Sequence, residues 1–134
     1  FYFMQTCHPH LAASPAGRVI NICSMAGTER VPGFMIYSAA KEALRAMSGV
    51  AAREWGKDGI NVNVICPTAA TATTERFRAE HPEEAAASLA NLPLGRFGDA
   101  EQDIGRVAVF LSRPDSAFMT GQTLWVDGGA VIHA

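Results

Sequence analysis

Bulky side chains at Phe1, Phe3, Met4, Cys7 and Leu11 fall on one helical stripe, and Pro9 predicts its end. Ser14-Pro15-Ala16-Gly17 is turn sequence. The period then changes. Residues 18–23 (RVINIC) are apolar nearly throughout and rich in β-branched side chains, the pattern of a short strand covered on both faces. Residues 26–33, punctuated by Gly27, Pro32 and Gly33, predict a loop. From Phe34 to Trp55 the chain is alanine-rich with helical spacing, and Gly56 and Gly59 close that helix. Residues 60–66 (INVNVIC) predict a second strand, and 67–74, dense in threonine and alanine, a loop. Two short helical stretches follow, around 75–80 and 83–89, then the turn-rich residues 92–99. Asp99 is placed to cap a helix running to Leu111, which Arg113-Pro114 stops. Residues 122–129 (QTLWVDGG) hold a third strand, at 123–126, and a glycine exit.

Strands that alternate with crossover helices predict an α/β fold, a parallel sheet with helices on both faces. Residues 1–134 read as part of one such domain. Three strands bury both faces of a parallel sheet poorly, and the first leaves an apolar edge. The pattern is that of half a core. The chain also opens on three aromatic residues without a methionine, as if inside a buried element.

Composition narrows the function classes. Hydrophobic residues make up 49% of the chain and charged residues 18%, which is globular composition. A net charge of -2, with no run of Lys or Arg, argues against a nucleic-acid or anionic-membrane partner. No apolar run approaches the ~20 residues of a membrane span, and the N-terminal segment lacks the basic start of a signal peptide. Cys7, Cys23 and Cys66 are widely spaced and predict reduced thiols in a cytoplasmic protein. His8, His10, His81 and His133 do not cluster with them at ligand spacing, so no metal site is expected.

The chemistry concentrates between Asn21 and Lys41. Ser24 follows the C-terminal end of a predicted parallel strand, where open α/β sheets bind ligands. Tyr37 and Lys41 are four apart on the next helix and share a face. An ammonium near a phenol favours the phenolate, which prepares the phenol to exchange a proton with an alcohol or carbonyl oxygen. With two Tyr and two Lys in the chain, chance alone would produce this spacing roughly 3% of the time. Spacing by itself is weak.

The order GRVINICSMAG, YSAAK, GINVNVICP, PLGRFGD and TGQTLWVDGG, with Tyr37 thirteen residues after Ser24, resembles the short-chain dehydrogenase/reductase family over nearly the whole chain. The resemblance implies the C-terminal portion of a Rossmann-like, doubly wound parallel sheet. It also implies an oxidoreductase transferring a hydride between NAD or NADP and a small alcohol or carbonyl substrate. Tyr37 would then be the general acid/base and Ser24 would orient the substrate oxygen. Lys41 would bind the nicotinamide ribose and lower the Tyr37 pKa. Pro67, Ala70 and Thr71 would join Tyr37 and Lys41 around the cofactor, residues 73–92 would form a substrate-covering insertion, and the protein would be a homotetramer or homodimer.

Two departures stand out. Thr68 stands where the family usually has glycine, and Ala72 where it usually has a cofactor-contacting threonine. Cys23 replaces a serine common in the family, and reads as packing. No glycine-rich phosphate-binding fingerprint follows a strand anywhere in these 134 residues. Besides an oxidoreductase whose N-terminal half lies outside this sequence, two alternatives remain: a truncated non-catalytic fragment, or the same fold with epimerase or dehydratase chemistry.

Overall fold

The computed structural model describes residues 1–132; His133, one of the histidines excluded as a metal ligand above, lies outside the described residues. The α/β expectation holds. Helix α1 spans Tyr2–Ala12, strand β1 Arg18–Ile22, helix α2 Met35–Trp55 and strand β2 Asn61–Pro67. Strand β5, Thr123–Val126, completes a three-stranded sheet in the order β1-β2-β5, all parallel.

Strand β2 is central because its residues can be covered everywhere: Val62, Asn63, Val64, Ile65 and Cys66 are all buried. Side chains alternate across it. Val62, Val64 and Cys66 face α2, where Ala51, Ala52 and Leu44 pack on them together with Val19 and Cys23 of the β1 segment. Asn61 and Asn63 point the other way. Their amides bond the Ala117 and Met119 carbonyls, fastening the connection that leads into β5. Each fully buried aliphatic side chain here contributes about 1.5–3 kcal/mol.

The backbone of β1 turns only one edge toward β2. Asn61 N–H bonds the Gly17 carbonyl and Cys23 N–H bonds the Ile65 carbonyl. By the alternation of a parallel ladder, Arg18, Ile20 and Ile22 direct their peptide groups to the edge away from β2, where Lys41 Nζ bonds the Ile22 carbonyl. The accessible surface, 8727 Å², exceeds the roughly 6,800 Å² expected of a compact monomer of this mass. Phe1, Tyr2, Phe3, Met35 and Ile36 supply much of the exposed apolar surface.

Several boundaries differ from the sequence reading. Helix α1 runs through Pro9 instead of ending there: the Pro9 carbonyl still accepts Ala13 N–H, and Met4 and Leu11, before and after it, are both held by the core. Packing outweighs the lost N–H of one proline. The stretch 67–74 is not all loop. Ala69–Ala70 (β3) pairs in parallel with Gly98–Asp99 (β4), and helix α3 begins at Ala72. Two-residue strands carry no periodicity to read. Helix α3 (Ala72–Glu80) and helix α4 (Pro82–Ala90) occupy most of residues 73–92, and the helix after Asp99 opens with a π-helical segment, Ala100–Gly105, before α5, Arg106–Ser112. Asp99 caps it as expected, accepting from Glu101 and Gln102 N–H.

Candidate active site

The C-terminal ends of β1 and β2 carry the candidate residues. Ser24 lies just beyond β1, and its hydroxyl oxygen accepts Ala26 N–H at 3.2 Å. The following turn is closed by Glu29 N–H on the Met25 carbonyl and Val31 N–H on the Ala26 carbonyl. Arg30 takes a left-handed φ of 52° at the end of that turn. At Gly27 a Cβ would meet Glu42 Cγ at 2.5 Å, so any larger residue there would have to displace the Glu42 side chain. Glu42 is itself held by a two-point ion pair with Arg45.

Helix α2 presents Tyr37 and Lys41 one turn apart. Lys41 Nζ stands 5.7 Å from the Tyr37 ring centroid and donates to the Ile22 carbonyl at 2.8 Å. That carbonyl belongs to the edge of β1 away from β2, two residues before Ser24. The ammonium therefore lies against both the phenol ring and the strand end that leads to Ser24. The Tyr37 ring is 45% exposed and meets Phe34 edge-on at 5.9 Å. Among the described residues no direct hydrogen bond joins Ser24 Oγ, the Tyr37 hydroxyl and Lys41 Nζ.

The segment after β2 lies beside this group. Pro67 pairs with Val126 at the end of β2, and Thr68 Oγ1 contacts Met25 Sδ at 3.7 Å, which brings the two strand-exit loops together. Ala70 sits in β3 opposite Asp99. Thr71 is the N-cap of α3: its hydroxyl accepts Thr74 N–H at 3.2 Å, while Thr74 Oγ1 accepts Thr71 N–H. The α3–α4 excursion is closed at its base by the β3–β4 pair, by Gly98 N–H on the Thr68 carbonyl, and by Arg96 paired with Asp103. The Arg96 guanidinium, with Asp99 N–H, holds the Asp103 carboxyl down at about 2.

Burial pushes the Cys23 thiol up, partly offset by the Lys41 ammonium, and pushes Cys66 up to about 12. Both stay neutral thiols, and Cys23 donates weakly to the Lys41 carbonyl at 3.4 Å. Cys23 is packing with one directional contact, not a nucleophile. Among the described residues no group of His, Cys, Asp and Glu is suited to a metal ion, and no helix is long and apolar enough to cross a membrane. His8 instead bonds Asp58 at 3.1 Å and packs on Trp55.

Sequence reasoning missed Ser38 and Ala26. The Ser38 hydroxyl donates to the Ala26 carbonyl at 2.9 Å. A serine beside Tyr37 carries no local sign that its partner lies twelve residues upstream.

The family model described as enoyl-(acyl carrier protein) reductase matches residues 1–131. A 12alpha-hydroxysteroid dehydrogenase from a Clostridium species is 51% identical over 96% of this chain, which corresponds to 49% of that protein. A solved structure described as a short-chain alcohol dehydrogenase from Sinorhizobium meliloti superposes with a TM-score of 0.89 at 34% identity, over 97% of this chain and 51% of its own. An NADPH-bound short chain oxidoreductase from Pseudomonas aeruginosa gives 0.84 at 27% identity, over 98% of this chain and 52% of its own. The chain thus spans about half the length of the relatives it matches. On the matched family model, the order of its motifs and the parallel sheet that carries them, the chain belongs to the short-chain dehydrogenase/reductase family.

Proposed function

We propose that this chain carries the proton-transfer half of an NAD(P)-dependent oxidoreductase that interconverts an alcohol and a carbonyl compound. The observation that carries the reading is Lys41 Nζ, set against both the Tyr37 ring and the end of β1. With the ammonium beside its ring, the Tyr37 phenol is the group placed to take the hydroxyl proton of an alcohol and return it to a carbonyl oxygen. Ser24 suits the companion role. Its oxygen already accepts Ala26 N–H, which leaves its own proton free for the substrate oxygen.

Lys41, Tyr37 and the Pro67, Ala70 and Thr71 segment would hold the nicotinamide end of the cofactor. The fit rests on the chemistry of the donors: an ammonium for ribose hydroxyls and a strand-exit loop at the same sheet edge. When bound, the nicotinamide accepts or supplies the hydride. Tyr37 would take the O–H proton as the alcohol is oxidised and return it in the reverse direction.

The 51% identity to a 12alpha-hydroxysteroid dehydrogenase makes hydroxysteroids and their ketones the first substrates to try. Three cysteines without a disulfide suit a reducing, cytoplasmic setting. The exposed apolar residues of α1 and α2 suit assembly of the intact protein as a homodimer or homotetramer. Sedimentation that finds only monomer at micromolar concentration would contradict that assembly.

The catalytic assignment is tested in the full-length protein. Tyr37→Phe should lower kcat by about 10²–10⁴-fold while changing KM little, because it removes a proton transfer and not a binding contact. Parent-like turnover by the Tyr37→Phe variant would overturn the reading.

A further inference from the structure

Ala26 stands between the two elements of the site. Its N–H donates to Ser24 Oγ at 3.2 Å, and its carbonyl accepts the Ser38 hydroxyl at 2.9 Å. Ser38 is the residue after Tyr37, on the first turn of α2. A serine inside a helix can bond the carbonyl four residues back in its own helix. Here the Phe34 carbonyl takes only the Ser38 backbone N–H, at 2.7 Å, and the hydroxyl reaches across to the strand-exit turn. The Ala26 carbonyl accepts Val31 N–H as well, so the hydroxyl meets a carbonyl already fixed by the turn. Ala26 itself is buried, at 8% exposed, and the bond is part-buried.

Besides Asn21 Nδ2 on Ser48 Oγ at 2.8 Å, farther down β1, two other ties connect α2 to this strand end. Cys23 Sγ to the Lys41 carbonyl, at 3.4 Å, is a weak thiol bond. Lys41 Nζ to the Ile22 carbonyl, at 2.8 Å, uses the ammonium that the proposed reaction turns toward the cofactor. Ser38 is therefore the tie from α2 to the turn beyond Ser24, and it persists throughout such a reaction.

We propose that Ser38 is a positioning residue, whose hydroxyl, acting through the Ala26 backbone, keeps the Ser24 hydroxyl in register with Tyr37. The proposal rests on the roles assigned above to Ser24 and Tyr37.

The test uses the full-length protein and a double-mutant cycle on kcat. Ser38→Ala should cost about tenfold in kcat and leave KM within about twofold, since only alignment is lost. Ser38→Thr, which restores the hydroxyl, should recover most of that. In a Ser24→Ala background, Ser38→Ala should cost less than about twofold more, because the group it aligns is gone. Equal losses in both backgrounds would overturn the proposal, and so would Ser38→Ala without effect. A Tyr37→Phe variant that keeps parent turnover would instead overturn the underlying reading. Amide exchange at Ala26 supplies a readout independent of turnover. It should quicken in Ser38→Ala and return toward the parent rate in Ser38→Thr, and an unchanged rate in Ser38→Ala would refute the tie.

Discussion

Ala26 N–H takes up one acceptor site on the Ser24 hydroxyl, which fixes where the oxygen lies without using its proton. The same logic, that a partner decides what a polar group has left to offer, governs the thiols. Cys23 and Cys66 lie on the α2 face of the sheet, at the ends of adjacent strands, and burial holds both as neutral thiols. Alkylation of the folded protein at pH 8–9 should label the exposed Cys7 alone, and denaturant should expose all three; mass spectrometry finding Cys66 modified in the folded protein would contradict this burial. The sign of the pH effect follows. With a folded value near 12 against 9.0 for a free thiol, Cys66 adds stability that is complete below pH 9 and lost as pH rises toward 12. At this scale the spacing of Ser24, Tyr37 and Lys41 was legible in the sequence, since it is local. The sequence did not carry Ser38 to Ala26 or Lys41 to Ile22, because a side chain's partner depends on how two elements meet.

Elements were legible in proportion to their length and period. Helix α2 and the three core strands showed their patterns over at least four residues each, and their boundaries moved by no more than a residue or two. Strands β3 and β4 were silent, and so was the docking of the glycine exit after β5. There Gly128 accepts Leu94 N–H, and Gly129, at φ 86°, lies so close that a Cβ would stand 3.0 Å from Pro93 Cγ. Buried Asp127 fixes the turn by accepting Gly129 and Val131 N–H. The glycines thus seat the return leg of the α3–α4 excursion as well as turning the chain. Gly129→Ala should destabilise the fold by about 1–2 kcal/mol from its left-handed backbone alone. Urea unfolding reads that directly, and an unchanged midpoint would contradict the backbone cost.

At the scale of the molecule, the edge of β1 away from β2 and the bare apolar faces of α1 and α2 go with an accessible surface larger than compact monomers of this mass expose. A protein made of these 134 residues alone should bind NADH or NADPH without saturation. The proposed nicotinamide end is present, but no glycine-rich strand-to-helix turn offers its N–H groups to a pyrophosphate. A fluorescence titration that saturates at micromolar cofactor would refute this. What the sequence by itself determined was the alternation of strands and helices, the parallel sheet this demands, and the serine, tyrosine and lysine set along it, because each is written in local period or spacing. Only the tertiary structure decided that α1 carries through Pro9, that two alanines pair with Gly98 and Asp99, and that Ser38 and Lys41 reach back to the end of β1. Those outcomes depend on contacts between residues distant in the chain, whose energies no local pattern records.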